Sequence, residues 1–110
     1  MATESVESVE SVPSALASPE RLIAETRVDF RCAALDRLER VAKQGTAELV
    51  VNMARTRDVD AAGLGILVLV QKRAREAGVA IKLSHTQPQV RTLLQLTKLD
   101  GLFLLDGPVA

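Results

Sequence analysis

One stretch, VDAAGLGILVLVQKRAREAG at residues 59–78, constrains the fold of this chain more than any other. It opens with an acidic residue and two alanines, continues as an apolar run, and ends in a charged segment. Periodicity alone does not separate a buried strand from a buried helix over so short a run. However, Asp60 is a good N-cap, the following bases suit a helix C-terminus, and Gly78 suits a left-handed end. We therefore predict a helix over residues 61–77, buried in its first half and solvated on one face in its second.

Strand and helix signals alternate along the rest of the chain. Runs of β-type residues predict strands at 20–25, 48–53, 79–84 and 102–105, and helical spacing predicts helices at 32–44 and 88–97 in addition to 61–77. This order implies a mainly parallel sheet with right-handed crossovers and helices packed on it. The run Leu49-Val50-Val51 predicts a central strand that is buried on both faces. In the last helix, Leu93, Leu94 and Leu96 form the predicted buried face.

The length of 110 residues suits one small domain. Its first part repeats Glu-Ser-Val three times and contains two prolines. Such a segment buries too little apolar surface to offset the entropy of ordering it. We predict a disordered acidic, Ser-rich tail at 1–19, one domain at 20–106 and a short tail at 107–110. A docking or phosphorylated tail is the functional alternative, and it rests only on the serines.

Composition and charge exclude several classes of function. The formal net charge is zero, and no aromatic residues interleave with the bases, so nucleic-acid binding is not expected. The single Cys precludes an internal disulfide and fits a reducing compartment. No apolar run approaches the roughly 20 residues of a membrane span, and the acidic N-terminus lacks the pattern of a signal peptide. We expect a cytoplasmic protein without direct membrane insertion.

No catalytic or cofactor-binding set is apparent in the sequence. There is one His and one Cys, and nucleophile-elbow, metal-ligand and phosphate-loop spacings are absent. His85 is interpreted as a loop residue rather than a ligand or base, and Cys32 as a structural rather than an activated thiol. Gly63-Leu64-Gly65 lacks the third glycine of a dinucleotide fingerprint, so close helix packing explains it better. We expect no enzyme, cofactor or metal.

The loop between the second predicted strand and the central helix is more informative. Asp58 and Asp60 flank one valine at a strand-to-helix turn. In open parallel sheets such turns lie at the carboxyl ends of the strands, where sites form. Asp29 also follows a predicted strand and precedes a helix, so we expect it at the same edge. Helix capping by Asp60 and solvation of Asp58 are the alternative, and Arg55 and Arg57 either bind an anion or belong to a solvated loop.

The sequence resembles the STAS domain family, which comprises anti-sigma factor antagonists and the cytoplasmic domains of sulfate transporters. The resemblance rests on DAAGLG at 60–65, the apolar helix after it, RAREAG at 73–78, the strand at 81–83, and VRTLLQLTKL at 90–99 before Leu102-Phe103. It covers roughly residues 21–106, and Val28-Asp29 resembles an acidic residue of the family. It implies an open, mainly parallel sheet of four to five strands with helices largely on one side.

The family signature at this loop is Asp-Ser-Ser/Thr-Gly, in which a kinase phosphorylates the hydroxyl residue before the glycine. The equivalent residue here is Ala62, which has no oxygen to phosphorylate. The resemblance implies that a phosphate there would gain N–H contacts from the helix but lie close to Asp60 and Asp29. It therefore implies a docking surface that has lost this switch. The candidate partner-binding residues are Asp29, Asp58, Asp60, Ala61, Ala62, Gly63 and Leu64.

The function implied is a non-enzymatic, protein-binding module of bacterial signal transduction and transcription regulation. The expected partner is an anti-sigma factor of the histidine-kinase-like ATPase type. Two alternatives stay open: a cytoplasmic STAS subunit bound to the ATPase of an ABC-type lipid transporter, and a scaffold that binds other STAS proteins. Regulation through Thr56 or the tail serines also stays open. The segment 102–105 is either a core strand or an exposed dimer edge.

Overall fold

A computed structural model describes residues 15–105. Residues 1–14 of the tail predicted at 1–19, and the whole tail predicted at 107–110, therefore lie outside the described part of the chain. The elements are β1 (Ala15–Ala17), β2 (Arg21–Leu22), α1 (Arg27–Lys43), β3 (Glu48–Asn52), β4 (Asp58–Val59), α2 (Ala61–Glu76), β5 (Ala80–Ser84), α3 (Pro88–Leu96), a 3-10 turn (Asp100–Leu102) and β6 (Leu104–Leu105). In this part of the chain, no helix is both long and apolar enough to cross a bilayer.

The main sheet has four parallel strands in the order β1-β3-β5-β6. Because each strand lies beside the next one along the chain, right-handed crossovers place all three helices on one face. Side-chain alternation agrees: Leu49, Val51 and Leu83 are buried, whereas Val50 and Lys82 are only half-buried on the other face. The prediction of an open, mainly parallel sheet with helices on one side is confirmed.

The core is mostly aliphatic, because the chain contains only two Phe, both buried, and no Tyr or Trp. Each long helix contributes one stripe at helical spacing. The buried residues of these stripes are Phe30, Ala34, Leu38 and Val41 from α1, and Gly63, Leu67, Val70 and Ala74 from α2. They pack against the buried faces of β3 and β5, so one layer of helices and one sheet face form a single hydrophobic core.

Several boundaries at the start of the domain differ from the prediction. Residues 15–17 were predicted to belong to the tail, but they form β1. The Arg37 guanidinium of α1 donates a hydrogen bond to the Ala15 carbonyl at the start of this strand. The strand predicted at 20–25 is only Arg21–Leu22. It ends because the Thr26 hydroxyl donates to the Arg21 carbonyl at 2.6 Å and accepts from the Ile23 N–H at 3.0 Å, which turns the chain into α1. The helix consequently starts at Arg27 rather than at residue 32.

Burial of two elements also differs from the prediction. Strand β3 is central, but only Leu49 and Val51 are buried, because helices cover one face of the sheet and not both. In α3, Val90 and Leu94 face the core, whereas Leu96 is 76% exposed. The last strand, β6, is an edge strand, and Leu104 within it is 49% exposed.

The central helix α2 spans Ala61–Glu76, against a prediction of 61–77. The Asp60 carboxylate caps it, and Gly78 has the expected left-handed backbone, with a φ of 75°. Its first half is not buried all round, however. Leu64, Ile66, Val68 and Leu69 are half-buried, and Gly65 is exposed. A helix in a single layer has one face on the sheet and an outer face in solvent. Because the first half of α2 is apolar on both sides, its sequence alone does not show which side is exposed.

A second, two-stranded parallel sheet pairs β2 with β4, and β4 lies in the segment that was predicted to be a loop. Its register is Arg21 opposite Asp58 and Leu22 opposite Val59. This small sheet lies against the first turn of α2. A Cβ atom at Gly63 would be 2.0 Å from the Leu22 carbonyl oxygen, so only glycine permits this approach. The packing role predicted for the glycine pair is thus confirmed for Gly63, whereas Gly65 has nothing within 4 Å of its would-be Cβ.

These two glycines form a matched pair for mutagenesis. We expect Gly63→Ala to destabilise the domain by about 3 kcal/mol, because the added methyl group would collide with backbone that cannot move aside cheaply. Gly65→Ala should stabilise it by up to about 1 kcal/mol, since alanine is the better residue in an exposed helix. Urea unfolding followed by circular dichroism measures both changes. Equal effects of the two substitutions would contradict the close approach of β2 to α2.

Candidate functional site

The turn before α2 is organised by the carboxylate of Asp60. One oxygen, Oδ1, accepts the Gly63 N–H at 2.8 Å and so caps the helix. The other, Oδ2, accepts the Ala24 N–H at 3.1 Å. These backbone N–H groups, that of Gly63 above all, hold the pKa of Asp60 below its ordinary value of 3.8. One exposed side chain therefore joins the start of α2 to the segment that follows β2.

Further hydrogen bonds fasten the segment 54–60 to the segment 18–24. The Arg57 N–H donates to the Glu20 carbonyl at 2.9 Å, and the Asp60 N–H donates to the Leu22 carbonyl at 3.3 Å. Two ion pairs, Arg21–Asp58 and Arg57–Glu20, span the same segments, but their side chains are more than half exposed. Such surface pairs contribute little, about 0–1 kcal/mol each. Backbone bonds, rather than surface charges, therefore give the turn its shape.

Thr56, one possible substitute phosphorylation site, is fully buried. Its hydroxyl donates to the Pro19 carbonyl at 2.6 Å, across the same pair of segments. A kinase needs an accessible hydroxyl, so this position argues against Thr56 as a phosphate acceptor. The hydroxyl instead contributes to fastening the loop.

The two alanines of the turn occupy the first two positions of α2. Ala61 is exposed and Ala62 is half-buried, as is Leu64 on the next part of the turn. Asp58 and Asp60 are exposed beside them. Ala62 thus lies at an accessible edge of the domain, at a helix N-terminus, and presents a methyl group instead of a hydroxyl.

Asp29 lines a different cavity from Asp58 and Asp60. It lies in the first turn of α1 and lines a cavity of about 350 Å³ together with Ser18 and Arg55. Asp58 and Asp60 line a different cavity, of about 560 Å³. Ser18 directly follows β1 and Arg55 lies shortly after β3, so Asp29 lies at the edge of the sheet where these strands end.

The walls of the larger cavity were missed by sequence reasoning. They come from β2 and α3 and include Arg21, Ile23, Gln89 and Leu93. The only sequence signal for them was the resemblance over residues 90–99. Arg57 is paired with Glu20, so of the two arginines considered for an anion only Arg55 has no salt bridge to another of the residues 15–105.

The other single residues considered for chemistry are dispersed. His85 follows β5 as an exposed residue with a φ of 57°, in agreement with its interpretation as a loop residue. Cys32 is an exposed residue of α1. Within residues 15–105, no three His, Cys, Asp or Glu side chains are grouped so that they could hold a metal ion.

Replacing Asp60 tests the bridge that it makes. In Asp60→Asn the amide oxygen can still cap Gly63, but the amide NH2 group then meets the Ala24 N–H, donor against donor, so we expect lower stability at pH 7. Since the folded-state pKa lies below 3.8, the stabilisation by ionised Asp60 is present above that pH and is lost as the pH falls through the folded value. The difference between wild type and variant should therefore shrink in acid.

Chemical unfolding at pH 7 and at several values below 4 measures this difference. Asp58→Asn is the matched control, because Asp58 makes only an exposed ion pair and its loss should change stability little. If the difference in unfolding free energy between wild type and Asp60→Asn were the same at every pH, the negative charge of Asp60 would not be what stabilises the turn.

Comparisons with known proteins agree with this geometry. A family model described as "Mlab, STAS domain" matches residues 14–106. No curated protein matches the chain in sequence.

Solved structures match it closely in fold. An anti-sigma factor antagonist candidate of Thermotoga maritima, tm1081, has a TM-score of 0.71 and 19% identity over 87% of this chain and 81% of its own. The antagonist SpoIIAA, a Bacillus cell fate determinant, has a TM-score of 0.59 and 14% identity in its unphosphorylated form, over 86% of this chain and 78% of its own. A sulfate transporter family protein from Wolinella succinogenes has a TM-score of 0.60 and 18% identity, over 84% and 75%. At such identities the likeness establishes a shared fold.

Proposed function

The chain belongs to the STAS domain family, and from that premise we propose that it is a non-enzymatic regulatory module that binds another protein and is not switched by phosphorylation at position 62. The likeness to anti-sigma factor antagonists supports a role in the same class. SpoIIAA has been solved in both phosphorylated and unphosphorylated forms, so that protein can carry a phosphate.

The observation that carries the proposal is the position of Ala62. It is half-buried at the second residue of α2, on the turn where the family signature has its hydroxyl residue. A hydroxyl at this place would be accessible to a kinase, and its phosphate would be favoured by the N–H groups of the helix. Alanine keeps the helix start and removes the acceptor oxygen, so the surface keeps one charge state.

The surrounding contacts support a docking role. Asp60 holds the turn to the segment after β2 through Gly63 and Ala24, so the surface is already ordered before a partner arrives. Preorganisation lowers the entropy cost of association. Ala61 and Leu64 contribute apolar area to this surface, and Asp58 contributes an exposed charge beside it. A partly apolar surface with exposed charges beside it suits a protein partner.

We propose an anti-sigma factor of the histidine-kinase-like ATPase type as that partner. The second candidate is that the chain is a cytoplasmic STAS subunit bound to the ATPase of an ABC-type lipid transporter. The similarity to a sulfate transporter family protein is the observation that favours a transport role. The two differ in what is captured: a kinase-like regulator in the first case, a transporter ATPase in the second.

Affinity purification with variants at position 62 tests the proposal. We expect Ala62→Asp to reduce partner capture at least tenfold, about 1.4 kcal/mol, because it places a fixed negative charge in the interface. Ala62→Ser should capture the partner as wild type does, and should become a phosphate acceptor when a kinase and ATP are supplied. An acid is well tolerated at a helix N-terminus, so both variants should fold, which circular dichroism checks.

Ala47→Asp is the matched control, since it adds the same charge to an exposed loop before β3, at the other end of the sheet. Capture by that variant should equal wild type. If Ala62→Asp captures the partner as well as Ala47→Asp does, the turn is not the contact surface.

A further inference from the structure

The two long helices leave a groove between them on the outer surface of the domain. Part of it is a shallow, open cavity of about 440 Å³. Its apolar lining comes from α1 and from the residue just after α2, and three charged side chains complete it. The lining residues are Leu35, Leu38, Glu39, Ala42 and Lys43 from α1, Arg73 from α2, and Ala77 just beyond α2. We refer to it as the α1–α2 groove.

Helical spacing extends the groove toward the turn at Ala62. Residues seven apart on a helix lie on the same face, two turns from each other. Val28 precedes Leu35 by seven residues on α1, and Ile66 precedes Arg73 by seven on α2. Val28 is 56% exposed, and Leu35 and Ile66 are half-buried. An apolar strip open to solvent therefore runs from the N-terminal ends of both helices to the cavity.

Charges beside this strip are unbalanced. Arg31 lies four residues before Leu35 and thus on the same side of α1, and Arg73 lines the cavity from α2. Both are exposed, and neither forms a salt bridge with another of the residues 15–105. Glu39 on the rim is already paired with Lys43, at 3.9 Å. The groove thus presents apolar surface flanked by one unpaired cation from each wall.

We propose that the α1–α2 groove binds an amphipathic helix that carries carboxylates beside its apolar stripe. The inference rests on the proposed function, because it names the part of the protein partner that binds beside the Ala62 turn. A concave strip between two helices fits the apolar face of a third helix, which is a recurrent mode of recognition. Acidic side chains on that helix would meet Arg31 and Arg73.

Two other occupants fit less well. A second copy packed groove to groove would bring the same arginines together, and like charges in an interface are costly. A membrane surface favours cations with protruding apolar side chains, whereas here the apolar residues line a concavity. Both alternatives give different results in the experiment below.

The probes are two designed peptides of about 18 residues, long enough for a stable helix, with one identical leucine stripe. One has glutamates beside the stripe, and the other has lysines. We expect the acidic peptide to bind, seen by fluorescence anisotropy, and to shift the backbone amide signals of Arg31, Leu35, Ile66 and Arg73. The basic peptide should bind at least tenfold more weakly.

A double variant, Arg31→Glu with Arg73→Glu, should reverse this preference. Lys82→Glu with Lys98→Glu is the control of equal charge change outside the groove, and it should keep the preference for the acidic peptide. Equal affinity for both peptides, no binding of either, or shifts confined to other residues would overturn the inference. So would charge-dependent binding to phosphatidylglycerol vesicles without peptide binding, or dimerisation that the double variant abolishes.

The same double variant separates this inference from the proposed function. If partner capture falls with Ala62→Asp and also with the double variant, both stand. If capture falls with Ala62→Asp but is unchanged in the double variant, the partner binds at the turn, and the groove is not its site. If capture is unchanged in Ala62→Asp, the proposed function fails, whereas the peptide measurements still decide the groove.

Discussion

The carboxylate of Asp60 connects two parts of the chain that the fold needs to keep together. One oxygen accepts from Gly63 in the first turn of α2, and the other accepts from Ala24 after β2. The small β2–β4 sheet lies over the same turn, at a distance that leaves no room for a side chain at position 63. Capping, strand pairing and close packing thus act on one short segment. The surface formed by Ala61, Ala62 and Leu64 owes its shape to these contacts and not to its own side chains.

The single layer of helices explains why this surface is available. All four strands of the main sheet follow in order, so every crossover places its helix on the same face. Each helix then buries one stripe and leaves its outer side in solvent, even where that side is apolar, as in the first half of α2. Half-buried Ile66 and Leu69 are a consequence of this architecture. In the function proposed above, such half-exposed apolar side chains would contribute to the surface that binds the partner.

Much of the fold was predictable from the sequence, and the parts that were not have physical causes. The cap at Asp60, the left-handed Gly78 and the strands 48–52 and 80–84 carry strong local signals, because periodicity and terminal residues determine them.

Strand β1 has no such signal: Ala15–Ala17 is short and is defined by pairing with β3 across the sheet. The β2–β4 pair is likewise a tertiary contact between two-residue segments. The start of α1, and with it the position of Asp29 on a helix and not in a loop, depends on the side-chain bonds of Thr26 and not on periodicity. Of the candidate site, the turn at 58–64 was predictable from motif and capping. The cavity walls from β2 and α3 were not, because tertiary contacts between distant segments bring them to this turn.

The methyl group of Ala62 has a consequence for how such a module conveys information. A surface whose charge is fixed cannot be turned on or off within seconds by a modifying enzyme acting there. Under the proposed function, its occupancy would be governed by mass action, that is, by how many copies of each partner the cell contains. Synthesis and degradation would then be the inputs, and the response would be graded by stoichiometry on the timescale of protein turnover.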